Sequence, residues 1–90
     1  MLFVVCYDIV DDDQRAKAAD ILMDFGHRVQ YSVFECVLDP PTLDRLRGKL
    51  AQISGKETHL RIYPICATCA EKVEVHGGPG IASEPQVFVV

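Results

Sequence analysis

Leu2-Phe3-Val4-Val5-Cys6-Tyr7-Asp8-Ile9 is the stretch on which the fold turns. It is apolar without a break from Leu2 to Tyr7 and then meets a carboxylate. A continuous apolar run of this length predicts a strand buried on both faces. Asp8 falls where that strand leaves the sheet, a position at which a rigid element presents a functional side chain. Asp11-Asp12-Asp13 follows after two residues and predicts the start of a helix, since acids cap and favour the first turn. Asp8 itself has two readings from its position. It is either part of the turn or a group with chemistry of its own.

Working outward, Ala18, Ile21, Leu22 and Phe25 recur at helical spacing and predict a helix over about 12–25, stopped by Gly26. Arg28 to Leu38 is rich in β-branched and aromatic residues, with Tyr31-Ser32 as a bend that divides it into two strands. Asp39-Pro40-Pro41 ends this segment and opens a second helix, because proline suits a first turn. Leu43, Leu46, Leu50 and Ile53 form that helix's apolar stripe, with Arg45, Arg47 and Lys49 on its solvent side and Gly55 closing it. His59 to Ile65 alternates, with Leu60 and Ile62 on one face and Arg61 and Tyr63 on the other. Cys66-Ala67-Thr68-Cys69 reads as a turn or a single helical turn, and Lys72-Val73-Glu74-Val75-His76 as another short strand. Gly77-Gly78-Pro79-Gly80 breaks the chain before a last apolar strand, Gln86-Val87-Phe88-Val89-Val90.

Strand, helix, strand, strand, helix, strand is the α+β, ferredoxin-like split βαβ sandwich. A single domain over 1–90 is expected, with a core of about 1–76 and a strand-rich tail of about 77–90. Two helices cover only one face of such a sheet, yet Leu2, Val4 and Cys6 on one face of the first strand and Phe3, Val5 and Tyr7 on the other are both apolar sets. With 49% hydrophobic residues in a chain of 90, the face left over calls for a partner. A second copy, joined sheet to sheet with the tail strand crossing between them, is the simplest one.

The formal net charge of −4 excludes a general polyanion binder but permits local basic patches. No apolar run approaches the roughly 20 residues that cross a bilayer, and the first residues lack a signal-peptide pattern, so no membrane and a cytoplasmic location are expected. Cys6 and Cys36 lie inside strands and read as reduced core residues rather than half of a disulfide framework.

Tyr7-Asp8-Ile9, Asp13-Gln14-Arg15, the run Gly26-His27-Arg28-Val29-Gln30-Tyr31-Ser32-Val33-Phe34-Glu35 and Leu60-Arg61-Ile62-Tyr63-Pro64 together resemble the Cas-two family. These are small CRISPR-associated adaptation proteins, often described as endoribonucleases. The likeness covers roughly residues 1–65; Thr58-His59 and the Cys66/Cys69 pair depart from the family's pattern. It implies a ferredoxin-like homodimer and metal-dependent phosphodiesterase activity on single-stranded RNA or duplex DNA. It also implies a place in spacer acquisition and antiviral defence beside the CRISPR integrase subunit. Asp8 corresponds to the family's metal-binding aspartate, one from each copy, with Mg²⁺ or another divalent cation such as Mn²⁺ as the cofactor. Tyr7, Arg15, Arg28 and Phe34 fall on positions important for cleavage in that family. The alternative it carries is a non-catalytic dimeric scaffold that binds duplex DNA and bridges the integrase.

The residue chemistry is compatible with both. Phosphodiester hydrolysis needs an activated water and charge stabilisation at phosphate oxygens, which a carboxylate-held divalent ion supplies. Arg15 and Arg28 suit bidentate phosphate contact or salt bridges to the nearby aspartates. Tyr7 and Phe34 suit base stacking or core packing. Arg45, Arg47 and Lys49 suit a duplex backbone or a solvated helix face. His27, His59 and His76 are scattered and form no hydrolase pattern. Cys66-x-x-Cys69 has the spacing of soft-metal and redox pairs, but stands alone.

Overall fold

The structure is a computed structural model, and it describes residues 1–55, 57–78 and 80–82. Its elements are β1 (Leu2–Ile9), α1 (Asp12–Met23), β2 (His27–Gln30), β3 (Val33–Val37), α2 (Pro40–Leu50), β4 (Thr58–Ile65) and α3 (Ala67–Glu71). The four strands form one sheet in the order β2-β3-β1-β4. All pairings are antiparallel. This is the expected ferredoxin-like arrangement, with the apolar first strand at its centre.

β1 runs along the whole of β4, from Leu2 opposite Ile65 to Ile9 opposite Thr58, and pairs with β3 from Leu2–Val37 to Cys6–Val33. Because side chains alternate across a strand, the register sorts them. Phe3, Val5, Tyr7 and Ile9 point into the core with Phe34 and Cys36, under Ala18 and Leu22 of α1 and Leu43, Leu46 and Leu50 of α2. Leu2, Val4, Cys6 and Asp8 point to the other face, together with Val33, Glu35 and Val37 of β3 and His59, Arg61, Tyr63 and Ile65 of β4. No helix with packed core contacts covers that face. Phe34, Leu22, Leu46 and Val5 are fully buried on the helix side, each stabilising the fold by about 1.5–3 kcal/mol relative to an exposed position.

Local chemistry sets the element ends. Asp11 caps α1, its carboxylate accepting from the Gln14 N–H at 2.8 Å. Asp39 caps α2 by accepting from the Thr42 N–H at 2.9 Å, with Pro40 opening the helix. The Thr42 hydrogen bonds hold the Asp39 carboxyl below the usual carboxylate range. That contribution to stability is present at neutral pH and is lost as pH falls through the lowered pKa. Tyr31 and Ser32 form the bend that separates β2 from β3, as the sequence predicts, and the Ser32 carbonyl accepts from the Tyr7 N–H at 3.1 Å.

Both of these helices end earlier than the periodicity suggests, α1 at Met23 rather than Phe25 and α2 at Leu50 rather than just before Gly55. A larger correction concerns Lys72 to His76, which is not a strand. Its alternation is real, but the segment leaves α3 away from the open edge of β4 and turns across to the opposite edge of the sheet. There Val73 and His76 line a groove of about 550 Å³ with His27, Arg28, Gln30 and Glu35. The Ala82 N–H donates to the Glu35 carboxylate at 2.9 Å, which secures the end of this crossing segment. A strand-like pattern that forms no ladder with either sheet edge is left as an extended strap. Gln86 to Val90, the predicted last strand, lies outside the described residues.

Gly26 marks the tightest approach in the fold. A Cβ there would stand 2.9 Å from the Cys36 Cα and closer still to the Glu35 carbonyl oxygen and Cys36 Sγ. Backbone cannot yield as a side chain tip does. Gly26→Ala is therefore expected to destabilise the protein by about 2–3 kcal/mol, measured by urea denaturation, whereas the open Gly48→Ala change should cost nothing of that kind.

Candidate functional site

Asp8 is the last residue of β1 on the helix-free face, one step before Ile9 returns to the core. It is exposed, and its carboxylate makes no hydrogen bond or ion pair among the described residues. The turn does not require it, because Asp11 performs the capping. Asp12 and Asp13 occupy the first turn of α1, as solvated charge there. Of the two readings open from position alone, the structural turn role goes to another acid. Asp8 is left free.

Asp8 is held by its pairing with His59 on β4, and Arg15 braces the chain just beyond it. From the first turns of α1 its guanidinium donates to the Ile9 carbonyl at 3.0 Å and the Val10 carbonyl at 3.2 Å, and it pairs with Asp12. The Asp12 carboxylate raises the Arg15 pKa, so the cation is permanent. Arg15 thus ties the exit of β1 to the helix that follows. In this arrangement its guanidinium bonds the backbone and Asp12 and also interacts with the Tyr31 side chain, bracing the strand end just beyond Asp8.

Tyr7, Phe34 and Arg28 gather on the opposite, helix-bearing side. Phe34 is fully buried and Tyr7 nearly so. Their rings stack at 6.3 Å between centroids, and the Tyr7 hydroxyl donates to the Tyr31 carbonyl at 3.4 Å. Arg28 faces solvent and lays its guanidinium over the rings of Phe34 and Tyr31, at 5.2 and 5.6 Å from their centroids. Cationic planes over aromatic faces are attractive, and here they roof the core. The five residues singled out by the sequence therefore do not form one cluster. Asp8 stands on one face, with Arg15 at the strand end behind it, and an aromatic–arginine group stands on the other.

Two neighbours of Asp8 were not singled out. His59 lies directly opposite it on β4, and Arg61 lies opposite Cys6 on the same face. Arg61 donates to the Tyr63 hydroxyl at 2.9 Å, an interaction that raises its pKa further. The alternation of β4 shows that Arg61 and Tyr63 share a face, but only the β1–β4 register puts that face beside Asp8. Tyr31 is also new: 74% exposed, it sits at the bend under Arg28.

One copy of the chain supplies a single free carboxylate here, and among the described residues no three His, Cys, Asp or Glu side chains converge to hold a metal ion. The donor itself is suitable, since Mg²⁺ takes oxygen ligands and keeps most of its waters, needing only one or two protein carboxylates. Asp8 fits as half of such a site. The groove between β2 and the strap lies elsewhere and does not include it.

These features define an antiparallel ferredoxin-like domain with a free acid at the tip of its central strand, on a face without helices. Residues 1–73 match the family model described as CRISPR associated protein Cas2. The chain belongs to that family. It is 40% identical to a CRISPR-associated endoribonuclease Cas2 of Synechocystis sp. over 90 residues, which span 99% of this chain and 98% of that protein. Among solved structures, Streptococcus pyogenes Cas2 at pH 6.5 is similar with a TM-score of 0.73 and 30% identity, covering 86% of this chain and all of that one. A chain of a partial Cas6-RT-Cas1–Cas2 complex is similar with a TM-score of 0.70 and 27% identity, covering 92% and 98%. The family match thus extends past the 1–65 that the motifs mark, through α3. No helix among the described residues is long and apolar enough to cross a membrane.

The buried position of Phe34 makes its substitution a stability experiment first. Phe34→Ala should lower unfolding free energy by about 3–5 kcal/mol, while Phe34→Leu should cost less than half of that. If Phe34→Ala unfolds at the wild-type urea midpoint, the ring is not the core anchor described here.

Proposed function

We propose that the protein is a metal-dependent endonuclease of CRISPR adaptation. It would cleave phosphodiester bonds in RNA or DNA, act in spacer acquisition and antiviral defence, and work in the cytoplasm. The observation that carries this reading is the free Asp8 carboxylate, released from the turn by Asp11, on a strand end that Arg15 braces just beyond it. Nuclease names among the relatives support it.

The reading requires two copies. Beside the already buried Leu2, the helix-free face carries half-buried Val4, Cys6, Val33, Val37 and Ile65, apolar surface that two sheets stacked face to face would cover further. In such a homodimer an Asp8 from each copy would bracket a Mg²⁺ or Mn²⁺ ion near the symmetry axis. That ion would supply Lewis-acid stabilisation of charge on the phosphate oxygens. The chain's own residues do the rest. Arg15 braces the strand exit just beyond Asp8. Arg61, beside Asp8 and tethered to Tyr63, offers guanidinium donors to a phosphate. Tyr7 and Phe34 act from below as the rigid support of the strand, and Arg28 is the solvent-facing cation of that support.

A second reading rests on the likeness to a chain of a Cas1–Cas2 complex. Here the dimer is a non-catalytic scaffold that bridges the CRISPR integrase and grips duplex DNA. The basic residues of α2 fit it only in part, because Arg47 is paired with Asp44 at 3.0 Å and Arg45 lies over Phe25. Lys49 remains the cation best placed for a phosphate.

Asp8→Asn separates the two. Divalent-dependent cleavage of RNA or DNA substrates should fall by about 100-fold or more, beyond what loss of an outer-shell partner costs a metal site. Stability should stay within about 0.5 kcal/mol, since the replaced group is exposed and unpartnered, and spacer integration should persist. A wild-type protein inert towards every nucleic acid substrate with Mg²⁺ or Mn²⁺ removes the nuclease reading and leaves the scaffold. A chain that sediments as a monomer removes the shared acid pair.

A further inference from the structure

The four cysteines fall into two environments. Cys36 is sealed in the core, where burial and the neighbouring Glu35 push its thiol up to about 11. Cys6 is half-buried on the helix-free face. Cys66 and Cys69 are both exposed, on a single turn that joins the edge strand β4 to the crossing strap. Neither belongs to the proposed nuclease site.

The turn holds the two thiols towards each other. Cys66 is the N-cap residue of α3, and its Sγ accepts a hydrogen bond from the Cys69 backbone N–H at 3.4 Å. The Ala70 N–H closes the turn on the Cys66 carbonyl at 2.8 Å, and the Lys72 N–H follows on the Cys69 carbonyl at 3.0 Å. Residues i and i+3 of a turn lie within about 7 Å at their Cα atoms, which overlaps the roughly 4.4–6.8 Å that a disulfide bridges. The Cys66 sulfur, already in contact with the Cys69 backbone, is thus within reach of its partner.

The same contacts make the two sulfurs unequal. Hydrogen bonds from the Cys69 backbone N–H and then from the Cys69 thiol hold Cys66 below the ordinary thiol range. Cys69, donating to Cys66, is held above it. α3 is only five residues long, so a helix dipole has no part in this. An exposed thiol of lowered pKa that accepts from its i+3 neighbour, beside one of raised pKa, has the division of labour of an exchange-active pair, one sulfur attacking and the other resolving.

We propose that Cys66 and Cys69 form a reversible dithiol–disulfide site, with Cys66 as the attacking and Cys69 as the resolving sulfur, oxidised by low-molecular-weight disulfides of the glutathione type. In the first step the Cys66 thiolate attacks one sulfur of the small disulfide. A mixed disulfide forms, the small S–S bond breaks, and one small thiol leaves. In the second step the Cys69 sulfur, having lost its proton, attacks the Cys66 sulfur and displaces the second small thiol. The chain loses two electrons and two protons, and the disulfide takes up both as two thiols. Oxidation closes covalently the turn from which the strap departs towards Glu35. The site thus couples redox state to the joint between sheet and strap.

The test uses the reduced, full-length protein incubated with oxidised glutathione at neutral pH, read by intact mass and by peptide mapping after alkylation. The wild type should lose two hydrogens, with Cys66 and Cys69 linked to each other and Cys36 still alkylatable after unfolding. Cys69→Ser should stop as a stable glutathione adduct on Cys66. Cys66→Ser should take up glutathione at Cys69 several times more slowly than Cys69→Ser does at Cys66. Both substitutions are at exposed positions, and unchanged thermal midpoints would show that the fold is intact. The proposal is overturned if the wild type accumulates only the adduct, if both single variants react equally fast, or if native mass spectrometry finds a metal ion held by the two thiols of the reduced chain. None of these outcomes depends on nuclease activity.

Discussion

β1 is hydrogen-bonded on both sides, to β3 along one edge and β4 along the other, and that double pairing constrains the whole molecule. A strand in this position cannot slip by one residue without sending Phe3, Val5 and Tyr7 out of the core and Val4 and Cys6 into it. Both sets are apolar, so hydrophobicity alone leaves the choice open. The helices resolve it. Leu22 of α1 and Leu46 of α2 need large partners, and Phe34 on β3 is in register with Val5 on the same face. Once that face is chosen, Asp8 is committed to the other.

The same constraint explains why the chain carries an acid where it does. At the end of a central strand the backbone is fixed by its neighbours while the side chain already reaches solvent. Arg15 sharpens this by tying the carbonyls of Ile9 and Val10 to α1. A side chain on such a mount has little freedom to lose when it binds something, which favours a functional site over a loop acid of the same composition. Asp11, three residues on, is equally acidic and does quite different work, because it meets the open N–H groups of a helix.

The strap from Val73 to Ala82 shows how a strand-like pattern is redirected. Val73 and Val75 alternate with polar residues, and alone they suggest a further strand. The sheet has its two edges at β2 and β4, and the turn through α3 carries the chain away from the nearer one. It settles against β2, with Glu35 receiving the Ala82 N–H. Alternation specifies which side chains are alike. It does not specify which edge is free.

By itself the amino-acid sequence determined the order of the first six elements, the two helix stripes, the start of the second helix at Asp39-Pro40-Pro41, the bend at Tyr31-Ser32 and the family motifs, because these depend on local spacing and backbone preference. It also marked Asp8 as a candidate, though not as a free one. Only the tertiary structure decided that Asp11 takes the cap, that Arg15 bonds the carbonyls at the strand exit, and that Tyr7 and Phe34 lie across the sheet from Asp8. It alone placed His59 and Arg61 beside that acid. The reason is physical: hydrogen-bond partners and sheet register join residues far apart in the chain, and no local pattern records which of several equivalent acids or arginines each partner will take.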